Sequence, residues 1–185
     1  FRSEAYRRNS EIRLTFCGGD PTIPWDQQVD VNRGDTVVVT GGLIRGLRPD
    51  ERSVASRIRE TLEAGGSGGS RRELGLRKVP GGLRESMKDC VTGDTVLLLL
   101  DPEGQDFEEV ALALKRREPT VKQVLVLLGD DKGLAPEELN EVKGMPSEVE
   151  VLRVSLGKDM LLGSHCIVLV HHYLDRFLHS CPSKL

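Results

Sequence analysis

The feature that most constrains the fold of this chain is a pattern that occurs twice in its second half, in which a short apolar run leads into a glycine-containing loop. The first copy spans residues 124–134, and the second runs from Val151 to Gly163. Short apolar runs that end at such turn signals are typical of buried strands. In an open α/β sheet, ligands bind beyond the carboxyl ends of the strands, where glycine lets the backbone approach closely. The repeated pattern therefore predicts a small-molecule site.

The rest of the second half alternates strands with helices. Strands are predicted at residues 95–100, 121–128 and 149–154, and helices at 107–115, 136–142 and 160–178. The run 95–100 ends at Asp101-Pro102 and is too short for a buried helix, which suits a parallel strand covered on both faces. The alternation predicts an α/β fold, a mainly parallel sheet with helices on both faces, in a single domain of residues 1–185.

The first half of the chain is less regular. Its predicted elements are strands at 11–17, 36–40 and 77–79, the last at a sheet edge, and helices at 49–64 and 82–90. Residues 18–35 have the composition of a surface loop. The Gly-Ser segment 65–70 has the composition of a flexible linker, since it cannot bury enough apolar area to order itself.

The composition is that of a globular protein, because 38% hydrophobic residues in a chain of 185 can supply one continuous core. No apolar run approaches the roughly 18 to 20 residues of a membrane span, so no membrane association is expected. The chain begins at Phe1, and no apolar stretch of the signal-peptide type follows its first arginines. We therefore expect that its true start lies upstream and that part of an N-terminal element is missing.

Cysteine usage bears on the compartment and on metal binding. The four cysteines are widely spaced and form no Cys-x-x-Cys pair: Cys17, Cys90, Cys166 and Cys181. Without a secretory signal, this usage predicts reduced thiols in an intracellular, cytoplasmic location. Histidines and cysteines gather between His165 and Cys181, but their spacing fits no standard zinc site, so no metal is expected.

The net charge of -3 argues against a protein that coats nucleic acid by bulk electrostatics. The charge is unevenly distributed, however. Residues 40–90 carry eleven Lys/Arg and seven Asp/Glu, whereas residues 91–185 carry ten and sixteen. A basic segment on an acidic body is compatible with one face that docks a structured RNA. Alternatively, arginines such as Arg57 and Arg59 only form the solvated side of a helix.

Three blocks of the sequence, in matching order, resemble the TrmY family of tRNA pseudouridine-54 N1-methyltransferases, which belong to the SPOUT superfamily. The blocks are Leu43–Ala55, Leu127–Leu134 and Val154–His171, and the intervening segments Val79–Leu83 and Leu99–Gly104 also fit the family pattern. The match spans roughly residues 40–175. The resemblance implies an RNA methyltransferase that acts on tRNA as a homodimer.

The resemblance also implies the form of the cofactor site. SPOUT proteins tie their carboxyl-terminal part, here residues 124–178, into a trefoil knot that binds S-adenosylmethionine, although general topology alone would argue against a knot. The residues assigned to the cofactor are Leu128, Gly129, Asp130 and Gly133 in the first loop, Ser155, Leu156, Gly157, Leu161 and Leu162 in the second, and His165 and Cys166 in the last helix. Backbone groups and apolar walls suit adenine and the methionine moiety. The alternative for each glycine alone is that it merely turns the chain, and the charged Lys158-Asp159 interrupts an otherwise small, apolar loop.

Methylation of N1 of pseudouridine requires removal of a proton whose pKa lies well above neutrality, which is a general-base problem. Asp50 is the first candidate base and Glu51 the second, because they stand at a predicted helix start among arginines. Arg45, Arg48 and Arg52 are the candidate RNA contacts. The alternative role of the two carboxylates is helix capping.

Two further readings of the function stay open at this point. One is another SPOUT reaction, such as pseudouridine N1-methylation in ribosomal RNA or ribose 2'-O-methylation. The other is a non-catalytic RNA-binding or assembly protein that keeps the fold and has lost cofactor binding. The charged pair Lys158-Asp159 is the one feature that favours this function. The apolar run Cys166–Val170 predicts a homodimer interface on the last helix, unless that run is buried within one subunit.

Overall fold

The computed structural model describes residues 9–16, 34–48, 50–63, 75–117, 120–130, 133–159 and 161–178. In chain order, its elements are β1 (Glu11–Thr15), β2 (Thr36–Thr40), α1 (Glu51–Glu63), β3 (Leu76–Val79), α2 (Leu83–Lys88), β4 (Thr95–Asp106), α3 (Phe107–Arg116), β5 (Gln123–Leu127), α4 (Pro136–Lys143), β6 (Glu150–Ser155) and α5 (Gly163–Leu178). The predicted linker 65–70, Pro49 and most of the predicted loop 18–35 lie outside the described residues. Within those residues, no helix has the length and apolar character needed to cross a membrane.

The chain divides into two compact units, Phe1–Cys90 and Val91–Leu185. The first contains a three-stranded antiparallel sheet in the order β1-β2-β3, with Val38 of the central strand facing Arg13 on one side and Arg77 on the other. β3 lies at an edge, as its short sequence predicted. The alternation of strands and helices did not reveal this antiparallel sheet. The single domain expected from the sequence stays a prediction.

Polar contacts join the ends of three elements in the first unit. The carboxylate of Asp89, just after α2, accepts hydrogen bonds from the guanidinium groups of Arg13 in β1 and Arg77 in β3. Arg13 also donates to the carbonyl oxygen of Ser86 over 2.7 Å. These bonds, from Arg77 first and Arg13 second, hold the pKa of Asp89 below its usual range. On the apolar side of α2, Leu83 and Met87 are buried, with 7% and 5% of their surface exposed.

The second unit contains the parallel sheet that the sequence predicted, in the order β5-β4-β6. One face packs against α3 and α5 in a core whose buried members are Val96, Leu98, Phe107, Val110, Ala111, Leu114, Val154 and Val170. On the opposite face of β4, Leu97 and Leu99 are also buried. A strand covered on both faces explains the unbroken apolar run. The α/β class is therefore confirmed, and β5 is only half-buried because it lies at the edge of the sheet.

The predicted end of the central strand at Asp101-Pro102 is wrong. β4 continues to Asp106, but its pairing with β6 is interrupted by a bulge, because Leu100 and Gln105 both face Val154. Residues 101–104 thus have no partners in β6. Pro102 is tolerated there, because an unpaired residue does not need the backbone N–H that proline lacks. Gly104 folds this bulge onto β6, since a Cβ there would lie 2.5 Å from the backbone nitrogen of Val154.

Gly104→Ala is expected to lower the free energy of unfolding by about 1–3 kcal/mol, because the added methyl group must displace the backbone of β6. Gly93→Ala is the matched control, since a Cβ at Gly93 meets nothing within 4 Å. That control is expected to change the free energy by less than about 0.5 kcal/mol. Urea unfolding of both variants measures the difference, and equal stability of the two would contradict the close packing of the bulge.

Candidate functional site

The loop after β5 is folded tightly onto itself. Gly129 has no room for a side chain, because a Cβ there would collide with the carbonyl group of Gly133. The N–H of Gly133 donates to the carbonyl oxygen of Asp130 over 3.1 Å, and Gly133 has a φ of +84° that favours glycine. Leu128 lies near the start of α5, since its Cδ2 atom would be 3.6 Å from a Cβ at Gly163. The first loop therefore lies beside the first residue of α5, at the carboxyl end of the sheet.

The loop after β6 begins with a side-chain turn and then opens. The hydroxyl of Ser155 lies 3.2 Å from the N–H of Gly157 and 3.1 Å from its carbonyl oxygen. Gly157 has a φ of +123°, and a Cβ there would meet nothing within 4 Å. Leu156 packs against the core, whereas Lys158 and Asp159 are exposed. The loop thus offers an exposed backbone beside an anchored apolar side chain.

The start of α5 divides the remaining predicted cofactor residues into two groups. The carbonyl oxygen of Leu162 accepts from the N–H groups of His165 and Cys166 over 2.8 and 3.0 Å. Cys166 faces the core and is buried, and Leu161 is half-buried. Leu162 and His165 are exposed. Leu162 and His165 therefore present their side chains to solvent, Leu161 does so in part, and Cys166 offers almost no exposed surface to a ligand.

The structure adds a polar pair that sequence reasoning did not assign. Asp101, in the bulge of β4, accepts from Nε and Nη2 of Arg153 in β6 over 2.9 and 2.6 Å. Asp101 also accepts from the N–H of Glu103, and these bonds, that of Glu103 first, hold the pKa of Asp101 below its usual range. The available signal was an aspartate directly after the apolar run of one strand and an arginine between the apolar residues Leu152 and Val154 of another.

In the first unit, Asp50 caps helix α1. Its Oδ1 accepts from the backbone N–H of Ser53 over 2.8 Å, and its Oδ2 accepts from the Ser53 hydroxyl over 2.7 Å. The two bonds from Ser53, the backbone bond first, hold the pKa of Asp50 below its usual range, and the charge of Arg48 adds to the effect. Asp50 is therefore ionised at neutral pH and has the geometry of an N-cap.

The other predicted residues near α1 differ in their surroundings. Arg48, Glu51 and Arg52 are exposed. Arg45 is also exposed, but its guanidinium donates to the carbonyl oxygen of Ile44 over 2.8 Å and to that of Gly42 over 3.3 Å. Ile44 is buried and anchors this loop. Arg48 and Arg52 thus present charge to solvent, whereas Arg45 also braces its own loop.

Within the described residues, no three His, Cys, Asp or Glu side chains gather closely enough to hold a metal ion. His179 and Cys181, two of the histidines and cysteines near the carboxyl end, lie outside the described residues.

Comparisons with known proteins find similarity in sequence and in fold. Residues 1–178 match a family model described as "Putative SAM-dependent RNA methyltransferase". A protein of Methanocella arvoryzae named tRNA (pseudouridine(54)-N(1))-methyltransferase is 32% identical over 180 residues, which are 95% of this chain and 79% of that protein. A protein of the same name from Methanosarcina mazei is 29% identical over 181 residues, 95% of this chain and 72% of that one. Among solved structures, the crystal structure of Archaeoglobus fulgidus Nep1 bound to S-adenosylhomocysteine is similar to this chain, with a TM-score of 0.53 and a sequence identity of 16%. The match covers 79% of this chain and 59% of that one. This similarity concerns the fold alone.

Proposed function

Since the chain belongs to this family of SAM-dependent RNA methyltransferases, we propose that it methylates N1 of a pseudouridine in the T-loop of tRNA. The relatives named above supply the base and its position, because both are named for pseudouridine 54 of tRNA. The structural observation that carries the proposal is the pair of loops at the carboxyl ends of β5 and β6, beside the start of α5. A tRNA substrate also requires an intracellular location.

The two loops suit the cofactor chemically. The proposed cofactor site uses the backbone of Gly129 and Gly157. A side chain at Gly129 would collide with Gly133, and one at Gly157 would fill open space. Apolar groups of Leu128, Leu156 and Leu161 complete the site. S-adenosylmethionine supplies an activated methyl group on sulfur. The chain's own groups would hold the cofactor in place, and the trefoil knot implied by the resemblance stays a prediction.

The RNA side of the reaction is proposed for the start of α1. The bound cofactor would supply the methyl group for N1, and the chain must provide an acceptor for the proton that N1 loses. Asp50 is proposed as that acceptor, with Glu51 second, while Arg48 and Arg52 contact phosphates. The bonds from Ser53 keep Asp50 ionised but also weaken it as a base, so the same geometry supports a pure capping role.

A homodimer through α5 is the last part of the proposal. Ile167 and Val168 in α5 are exposed by 42% and 67%, so the apolar run of α5 is only partly buried within the subunit, and Leu162, just before α5, is exposed by 67%. Large exposed apolar side chains are typical of protein interfaces. A second copy of this chain is the proposed occupant of this surface.

Calorimetry with S-adenosylhomocysteine tests the cofactor site. The wild-type chain is expected to bind, and Gly157→Val is expected to weaken binding at least tenfold, because valine fills the open space and disfavours a φ of +123°. Gly93→Ala is expected to bind like the wild type. No heat with the wild type would remove the cofactor site, and equal affinity of Gly157→Val would move it away from this loop.

Asp50→Asn tests the proton acceptor. Asparagine caps helices as well as aspartate does, so the melting temperature is expected to stay unchanged. Loss of the acceptor is expected to lower methylation of a pseudouridine-containing T-loop RNA by roughly 10²- to 10⁴-fold. Mass spectrometry of the nucleosides measures the product. A wild-type rate in Asp50→Asn would leave Asp50 as a cap and pass the acceptor role to Glu51 or to no side chain. For the wild-type chain, a methyl group on ribose would indicate the alternative methyltransferase reaction. No product at all from the wild-type chain would indicate the non-catalytic function.

Light scattering at micromolar concentration tests the dimer. The wild-type chain is expected at twice the monomer mass of 20.4 kDa. Val168→Glu is expected to shift the mass to that of the monomer, because a charge at this exposed position cannot be buried in an apolar interface. Leu112→Glu, on the exposed side of α3, is the control and should leave the dimer intact. A monomeric wild type would end the dimer proposal.

A further inference from the structure

The bulge of β4 is fastened to β6 immediately before the loop proposed to bind the cofactor. Gly104 packs against the backbone of Arg153 and Val154, and pairing resumes with Gln105 opposite Val154 and continues to Asp106 opposite Ser155. Ser155 is the residue whose hydroxyl braces Gly157. A continuous set of contacts therefore leads from the bulge to the open backbone of the second loop.

The bulge is in turn fixed by the ion pair between Asp101 and Arg153. One carboxylate oxygen of Asp101 receives both donors of Arg153, and the other receives the N–H of Glu103 within the bulge. The carboxylate thereby joins the bulge to β6 at a second point, apart from the packing of Gly104. The side chain of Arg153 is 59% exposed and that of Asp101 24%.

An ion pair this exposed contributes little to global stability, because solvent screens it. Its effect is local. It restricts the bulge and the strand end that carry the Ser155 turn, and restricting a loop in its binding conformation improves affinity by reducing the entropy lost on binding.

We propose that Asp101 and Arg153 are positioning residues for the cofactor, whose ion pair holds the bulge of β4 on β6 so that the Ser155–Gly157 turn is arranged before S-adenosylmethionine binds. This inference rests on the proposed cofactor site. It adds two residues that act on the cofactor through Ser155 rather than by touching the reacting atoms.

The test measures S-adenosylhomocysteine affinity by calorimetry for Asp101→Asn, Arg153→Gln and the double variant of the full chain. Each single change is expected to weaken binding roughly three- to tenfold, the range expected for ordering a few side chains. The double variant is expected to bind no more weakly than either single variant, because both remove the same pair. In methyl-transfer assays, the KM for S-adenosylmethionine is expected to rise while kcat changes less than twofold.

Glu150→Gln is the matched control. It removes the ion pair between Arg117 and Glu150 at the opposite end of β6, which has the same 2.6 Å separation as the closest contact of the Asp101 pair. It is expected to leave affinity unchanged. If Asp101→Asn fails to fold, Arg153→Gln carries the test, since it alters a mostly exposed side chain.

Three results would overturn the inference. Wild-type affinity in both single variants would show that the pair does not position the loop. Additive losses in the double variant would mean that the two residues act separately, and equal weakening by Glu150→Gln would assign the effect to β6 as a whole. Failure of the proposed cofactor site is distinguishable, because the wild type itself would then give no heat.

Discussion

The second unit depends on the position of β4 between two parallel neighbours. Its apolar side chains are buried on both faces, with Leu98 in the core against α3 and α5 and Leu97 on the other side. Because all three strands are parallel, their carboxyl ends meet at one edge of the sheet, and the bulge and both glycine loops emerge there. The place of the proposed cofactor site therefore follows from the burial of one strand.

Much of this arrangement was predictable from local sequence. Strand β4 is predicted by its apolar run at 96–100, and helix α3 by the periodic apolar residues of 107–116. Burial on one or both faces of an element leaves such a pattern along the chain. The end of β4 was not predictable in this way. The bulge is set by Gly104 against Val154, a contact between distant residues that leaves only an aspartate, a proline and a glycine as local traces.

The site was predicted less completely than the fold, for a similar reason. The two glycine loops came from a repeated local pattern, whereas their assignment to a cofactor, together with that of the start of α5, came from the resemblance to a family. Asp50 had two roles open, and the structure provides the partners of a cap, which sequence spacing alone suggested but did not decide. Arg153 and Asp101 are 52 residues apart, so no local pattern connects them. Chemistry that depends on contacts between distant strands is what one sequence reveals least.

The pairing of β6 with β4 has a consequence for the order in which the protein assembles. Leu98 and Leu152 are neighbours in the sheet but lie far apart along the chain, with β5 and two helices between them. Closing such a long segment costs chain entropy before any contact compensates for it, so we expect β6 to dock late in folding. The loop proposed to bind the cofactor follows β6 directly, so we expect a nascent chain to gain cofactor affinity only in the last stage of its folding.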